Sequence, residues 1–147
     1  MIKDLLVVVV SLCSVVVGAK YKSYYKRRAD LWDELYRFSI YAKDEISFKK
    51  TYIDEIYHSF NLSEEFLKIK SGEYEGLPFD DEEIRWICGY FKSLGKSGLD
   101  GEIENATRYV SQIEEKRKIS IKNNEEKGKI SLKLGILFGI GVFVILI

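Results

Sequence analysis

Few residues in this 147-residue chain have types and spacings that could do chemistry. The run Gly95-Lys96-Ser97 resembles the tail of a phosphate-binding loop, in which backbone amides and a lysine hold phosphate oxygens. That motif needs a glycine five residues before its second glycine, where Tyr90 stands; Gly89 is one residue too early. The segment also ends a helical pattern instead of following a strand, so no row of amides is aimed at a phosphate. His58 is the only histidine, and Glu55 beside it on a helix does not complete a metal site. The carboxylates Asp80 to Glu83 invite acid–base chemistry, but acids clustered at a helix start serve as caps and as partners of the positive dipole end. Cys13 and Cys88 are too few for a disulfide framework and read as small buried hydrophobes. No catalytic constellation, metal set or cofactor motif emerges, so nothing argues for an enzyme. Trp86 stands off the Ile84/Ile87/Phe91 stripe. It either reaches a partner surface, where tryptophan is enriched, or packs on a second side within a bundle.

The elements that must carry these residues fall into two populations. The mean hydropathy of −0.13 averages nearly pure hydrocarbon at the ends with an ordinary polar middle. From Leu5 to Val17 every residue is apolar or small, and Gly18 and Ala19 extend the run. Snorkelling by Lys3 and Lys20, with Ile2, brings it close to the ~20 residues that span a bilayer. The valines do not argue for a strand, because a lone strand in lipid leaves its backbone groups unpaired. Leu134 to Ile147 has no polar side chain, and Ile130 and Leu132 add to it past Lys133. Gly135 and Gly139, four apart, share one face and let another helix approach closely, either the N-terminal anchor or a neighbouring subunit, a second copy included.

Five bases lie in Lys20–Arg28, and Lys122, Lys127 and Lys129 precede the second anchor. Both basic flanks therefore place the middle in the cytoplasm. The rival is a signal peptide cleaved after Ala19, which would release a secreted or surface-exposed helical binding module. The basic cluster resists translocation and favours retention.

The middle reads as helices. Leu31, Leu35, Phe38, Ala42 and Ile46 recur at spacings of three and four. Thr51 with Asp54 marks a helix start, followed by Ile53, Ile56, Tyr57 and Phe60. Ser63 is the next N-cap, with Leu62 and Leu67 placed as a hydrophobic staple. Gly72–Pro78 is a loop. Asp80 with Glu83 forms a capping box; Ile84, Ile87, Cys88, Phe91 and Leu94 form the buried face behind it, and Gly95 stops the helix. A last helix buries Ile103, Ala106, Val110 and Ile113, beyond which the chain is charged all round. The expected architecture is all-α: a transmembrane helix over 2–19, a cytoplasmic helical bundle over 20–113, a charged helical stalk over 114–129 and a second transmembrane helix over 130–147. Zero net charge excludes a bulk nucleic-acid binder. It hides fifteen acids against six bases between Asp30 and Glu83.

The segments DEISFKKTYIDEI (Asp44–Ile56), GYFKSLGKSG (Gly89–Gly98) and NNEEKGKISLKLGILFGIGVFVILI (Asn123–Ile147) are similar to the stage III sporulation protein AB family. The similarity is most specific at Phe91, Ser93, Leu94, Gly95 and Ser97 and at the terminal glycine-rich anchor. The family pattern has an aspartate where Gly98 stands and a glutamine where Glu102 stands, and a longer, tryptophan-containing stretch before Pro78. Members resemble the cytoplasmic domain of the type II secretion F protein, a helical bundle in an inner-membrane platform. The resemblance implies a channel apparatus between mother cell and forespore, in the mother-cell membrane around the forespore. Its implied partners are a secretion-type ATPase, stage III sporulation protein AA, and other channel-complex membrane subunits, besides membrane lipid; no cofactor is implied. The acidic excess then places ATPase docking at Asp81, Glu82 and Trp86, with Asp80 and Glu83 reserved for capping.

Overall fold

The computed structural model describes the backbone of residues 2–49 and 51–146 and the side chains of 7–49 and 51–145. The expected roles of Ile2, Lys3 and Ile147 in the anchors lie outside the described side chains. The order is α1 (Ile2–Asp44), a π-helical turn (Glu45–Lys49), α2 (Ile53–Ser59), α3 (Glu64–Ser71), α4 (Asp81–Ser93), α5 (Leu99–Asn123), a second π turn (Asn124–Gly128) and α6 (Lys129–Leu146). No strand occurs among the described residues. The chain divides into two units, one of residues 30–118 and one of residues 1–29 with 119–147.

The unit of residues 30–118 is a bundle around an aromatic core. All five stripe residues are buried, Leu31 to Ala42 on α1 and Ile46 in the π turn that follows. Phe38 lies at the centre, with ring centroids of Tyr57, Phe60, Tyr90 and Phe91 at 5.3–6.3 Å. Such pairs add about 0.5–1.5 kcal/mol each beyond the area they bury. Phe66 joins this cluster to Phe79, and Ile87 and Ile113 close it from α4 and α5. Tyr90 is fully buried although it lay outside the stripe read from the sequence. Four residues before Leu94 and three after Ile87, it sits on their face.

The α1–α2 corner is held by one carboxylate. Glu45 accepts hydrogen bonds from Lys49 Nζ at 2.6 Å and Thr51 Oγ1 at 2.8 Å. Both contacts hold its pKa below the usual carboxylate value, the Lys49 hydrogen bond contributing most. Thr51 thus ties the corner instead of capping α2, whose N-cap is Tyr52. Ser63 is the N-cap of α3, but its side chain makes no cap bond; Glu34 from α1 accepts from Ser63 N at 2.6 Å. Leu62 is buried while Leu67 is exposed, so no staple forms. Phe66 and Ile69 take the inward positions.

The bundle unit runs to Lys118, past Ile113 where the stripe ends. Arg117 Nε donates to Asp33 Oδ1 at 2.5 Å, and Lys116 lies over the rings of Trp32 and Trp86 at 5.5 and 5.3 Å. These bases of the charged segment attach α5 to α1, a job that an apolar periodicity does not display.

The second unit pairs the chain ends. A methyl group placed on Gly135 would come within 2.8 Å of the Ser14 carbonyl oxygen and 3.1 Å of Gly18 Cα. On Gly139 it would meet Ser14 Oγ at 2.9 Å and the Ser11 carbonyl oxygen at 3.0 Å. Ser14 Oγ donates to the carbonyls of Ser11 and Gly135, at 2.8 and 3.2 Å. Gly18 is the matching small residue on α1. The two terminal helices are long and apolar enough to cross a membrane. Cleavage after Ala19 would remove Ser11, Ser14 and Gly18 from this pairing.

Candidate functional site

The residues singled out for partner binding sit at the start of α4. Asp80 is its N-cap: Asp80 Oδ1 accepts from Glu83 N at 2.8 Å, and Glu83 Oε2 accepts from Asp80 N at 3.2 Å. The capping box leaves Asp81 and Glu82 exposed in the first turn. Trp86 is half-buried: its ring packs on Trp32 at 6.2 Å and on Tyr109 at 5.5 Å. Both packing partners lie within the bundle, which is the second-side packing considered for it. Glu82 and Trp86, one turn apart, share a face of α4. Asp81 lies elsewhere, lining a recess of about 420 Å³ with Tyr74, Ile84, Arg85, Cys88, Gly89 and Lys92. The structure therefore joins Glu82 to Trp86 and separates Asp81 from them.

This recess went unnoticed in the sequence because the Gly72–Pro78 loop supplies one wall, and loop packing leaves no periodic signal. Cys88 Sγ lies 3.7 Å from both the Ile69 carbonyl oxygen and Tyr74 Oη. It is half-buried, not a core residue. His58 is exposed, and no group of three metal-capable side chains occurs among the described residues.

The residues that carry the family similarity form the α4–α5 connection. Phe91 and Leu94 are buried, and Ser93 Oγ donates to the Tyr90 carbonyl at 2.7 Å. Gly95 has φ +80, and a Cβ there would meet Ile53 Cγ1 at 2.9 Å, so both conformation and space demand glycine. Ser97 N donates to Glu102 Oε1 at 2.7 Å. Gly98 and Glu102 occupy one turn, since Glu102 N donates to the Gly98 carbonyl. A Cβ on Gly98 would meet nothing within 4 Å. The aspartate of the family pattern would fit there; in this chain the acid stands four residues later and receives the Ser97 amide.

The core phenols set a pH limit. Burial, then the Asp54 charge, pushes Tyr57 up to about 12, and burial drives Tyr90 further in the same direction. An unfolded chain releases these protons near pH 10 while the folded one retains them, so stability is complete below pH 10 and falls above it. Alkaline titration followed by circular dichroism and phenolate absorbance should show loss of fold above pH 10, with two phenols ionising only as the fold is lost. Ionisation of all ten tyrosines before any loss of fold would contradict the buried positions.

A helical bundle joined to a pair of membrane-length helices defines a membrane-associated all-α protein. The chain belongs to the stage III sporulation protein AB family, whose model matches residues 59–147. Gly89–Gly98 and Asn123–Ile147 lie within the match, whereas Asp44–Ile56 lies outside it. The family is one of structural sporulation proteins and not a known enzyme family, which gives the chain a role in sporulation. Neither curated proteins nor solved structures give a match.

Proposed function

We propose that the chain is a non-enzymatic membrane platform subunit of the mother cell–forespore channel apparatus, coupling a secretion-type ATPase to the membrane complex. The observation that carries this reading is the segregation of charge between the two units. Residues 30–118 hold twenty acids against thirteen bases, and the anchor unit holds ten bases against three acids. Basic flanks keep the bundle in the cytoplasm by the positive-inside rule. Its acidic surface then faces cytoplasmic partners, and charge of one sign steers encounter and orientation. Family membership supplies the process, and the resemblance to the secretion F domain supplies the class of partner.

Asp81 and Glu82 are the docking charges open to mutation without loss of the cap, and Trp86 presents its remaining edge beside Glu82. In the full chain, Asp81→Lys with Glu82→Lys should weaken binding to the ATPase stage III sporulation protein AA about tenfold at low salt. The difference should shrink as salt rises, because exposed charges are screened. An unchanged helical signal by circular dichroism controls for folding. Binding within twofold of the parent at both salt levels would place the interface elsewhere.

A further inference from the structure

The paired anchors leave a groove of about 980 Å³ along one face. Tyr21 and Tyr25 stand at one end and Ile145 at the other, with Val17, Leu137 and Phe138 along the walls. From Ser131 to Ile145, α6 rises ~21 Å at 1.5 Å per residue. That exceeds one leaflet of a hydrocarbon core ~30 Å thick, enough length for one extended acyl chain. The serine hydroxyls in the groove are already spent: Ser14 shares its proton between the Ser11 and Gly135 carbonyls, and Ser131 donates to the Lys127 carbonyl at 2.7 Å. Its interior therefore favours an apolar occupant.

The tyrosine end differs. Lys20, Lys22 and Lys26 are exposed in the turns that carry Tyr21 and Tyr25, and Lys127 and Lys129 are exposed where α6 begins. The acids at this end are Glu125 and Glu126, the latter 4.0 Å from Lys122. An apolar slot with a basic, phenolic mouth matches an anionic lipid in both parts, since basic pockets between membrane helices take anionic head groups. A hydrophobic partner helix would fill the slot but leave the lysines without counter-charge. We propose that this groove seats an acyl chain of an anionic phospholipid, its phosphate held by the tyrosine hydroxyls and the surrounding lysines.

Gly141 provides the handle for a test. It lines the groove, yet a Cβ on it would meet nothing within 4 Å, so a larger side chain fills the slot without pressing on α1. The full chain is placed in vesicles of equimolar phosphatidylglycerol and phosphatidylcholine. One lipid at a time carries a photoactivatable acyl chain, and adducts are mapped by mass spectrometry. Adducts should concentrate on Val17, Leu137 and Phe138, about fivefold more from phosphatidylglycerol. Gly141→Phe should remove these groove adducts. Lys20→Gln, Lys22→Gln and Lys26→Gln together should equalise the two lipids while the adducts remain, a readout that needs no change in the groove. Equal yields from both lipids spread evenly round the two helices would overturn the proposal, leaving ordinary annular lipid. Chain-to-chain crosslinks at Leu137 and Phe138 that exclude lipid would overturn it in favour of a helix in the groove.

Discussion

Phe38→Ala should destabilise the bundle by about 3–5 kcal/mol, the range for deleting a large buried aromatic. Phe38 is fully buried and its ring touches four others, contributed by α2, the turn after it and α4. No flexible neighbour stands ready to refill the space, because those rings are themselves fixed by Phe66, Tyr41 and Tyr109. Small domains are stable by only about 5–15 kcal/mol, so this loss is a large fraction of the total. Thermal unfolding of the full chain in detergent, followed by near-ultraviolet circular dichroism, measures it. Phe48→Ala is the matched control: that ring is 83% exposed, and its loss should shift stability by no more than about 0.5 kcal/mol. Equal effects from the two variants would contradict the placement of the core.

Gly135→Leu should separate the paired anchors. Its Cβ would fall against backbone atoms, the Ser14 carbonyl oxygen and Gly18 Cα, which cannot rotate away as a side chain can. Helix pairs in lipid depend on such close backbone approach for their packing, so pairing should drop about tenfold. Gly139→Leu should act in the same direction but less, since its nearest neighbour is the movable Ser14 hydroxyl. Cys13 and Phe138 line the same groove, so disulfide formation between Cys13 and a cysteine introduced by Phe138→Cys reports the pairing, with Cys88→Ala removing the other thiol. Undiminished crosslinking in the Gly135 variant would show that the helices do not meet at these glycines.

What the sequence made legible follows from which interactions repeat along the chain. The stripe from Leu31 to Ile46, the Asp80–Glu83 capping box and the stop at Gly95 are local, and the structure forms all three. The two apolar ends were equally plain, and Gly135 and Gly139 pointed to the close face of α6. Its counterpart at Gly18 and Ser14 was hidden, because nothing in spacing tells one residue which helix it will meet. The same reason hid Glu34 behind the expected Ser63 cap and Asp33 behind Arg117. Leu67 was misplaced by a motif that fits locally, while Phe66 and Ile69 provide more apolar contact at the cost of the staple. At the candidate site, the exposure of Asp81 and Glu82 was readable from their place in the first turn. The recess beneath Asp81 was not, since Tyr74 reaches it from a loop.

The acidic bundle, the basic anchor flanks and the family together support the proposal that this chain docks a cytoplasmic motor. Its most direct measurement is the binding of the purified ATPase stage III sporulation protein AA to the full chain held in a lipid bilayer, across a range of salt. Saturable binding is expected at low salt, weakening steadily as salt rises and lost first in the Asp81→Lys, Glu82→Lys double variant. No binding at low salt, with the bundle folded and the ATPase active, would contradict it.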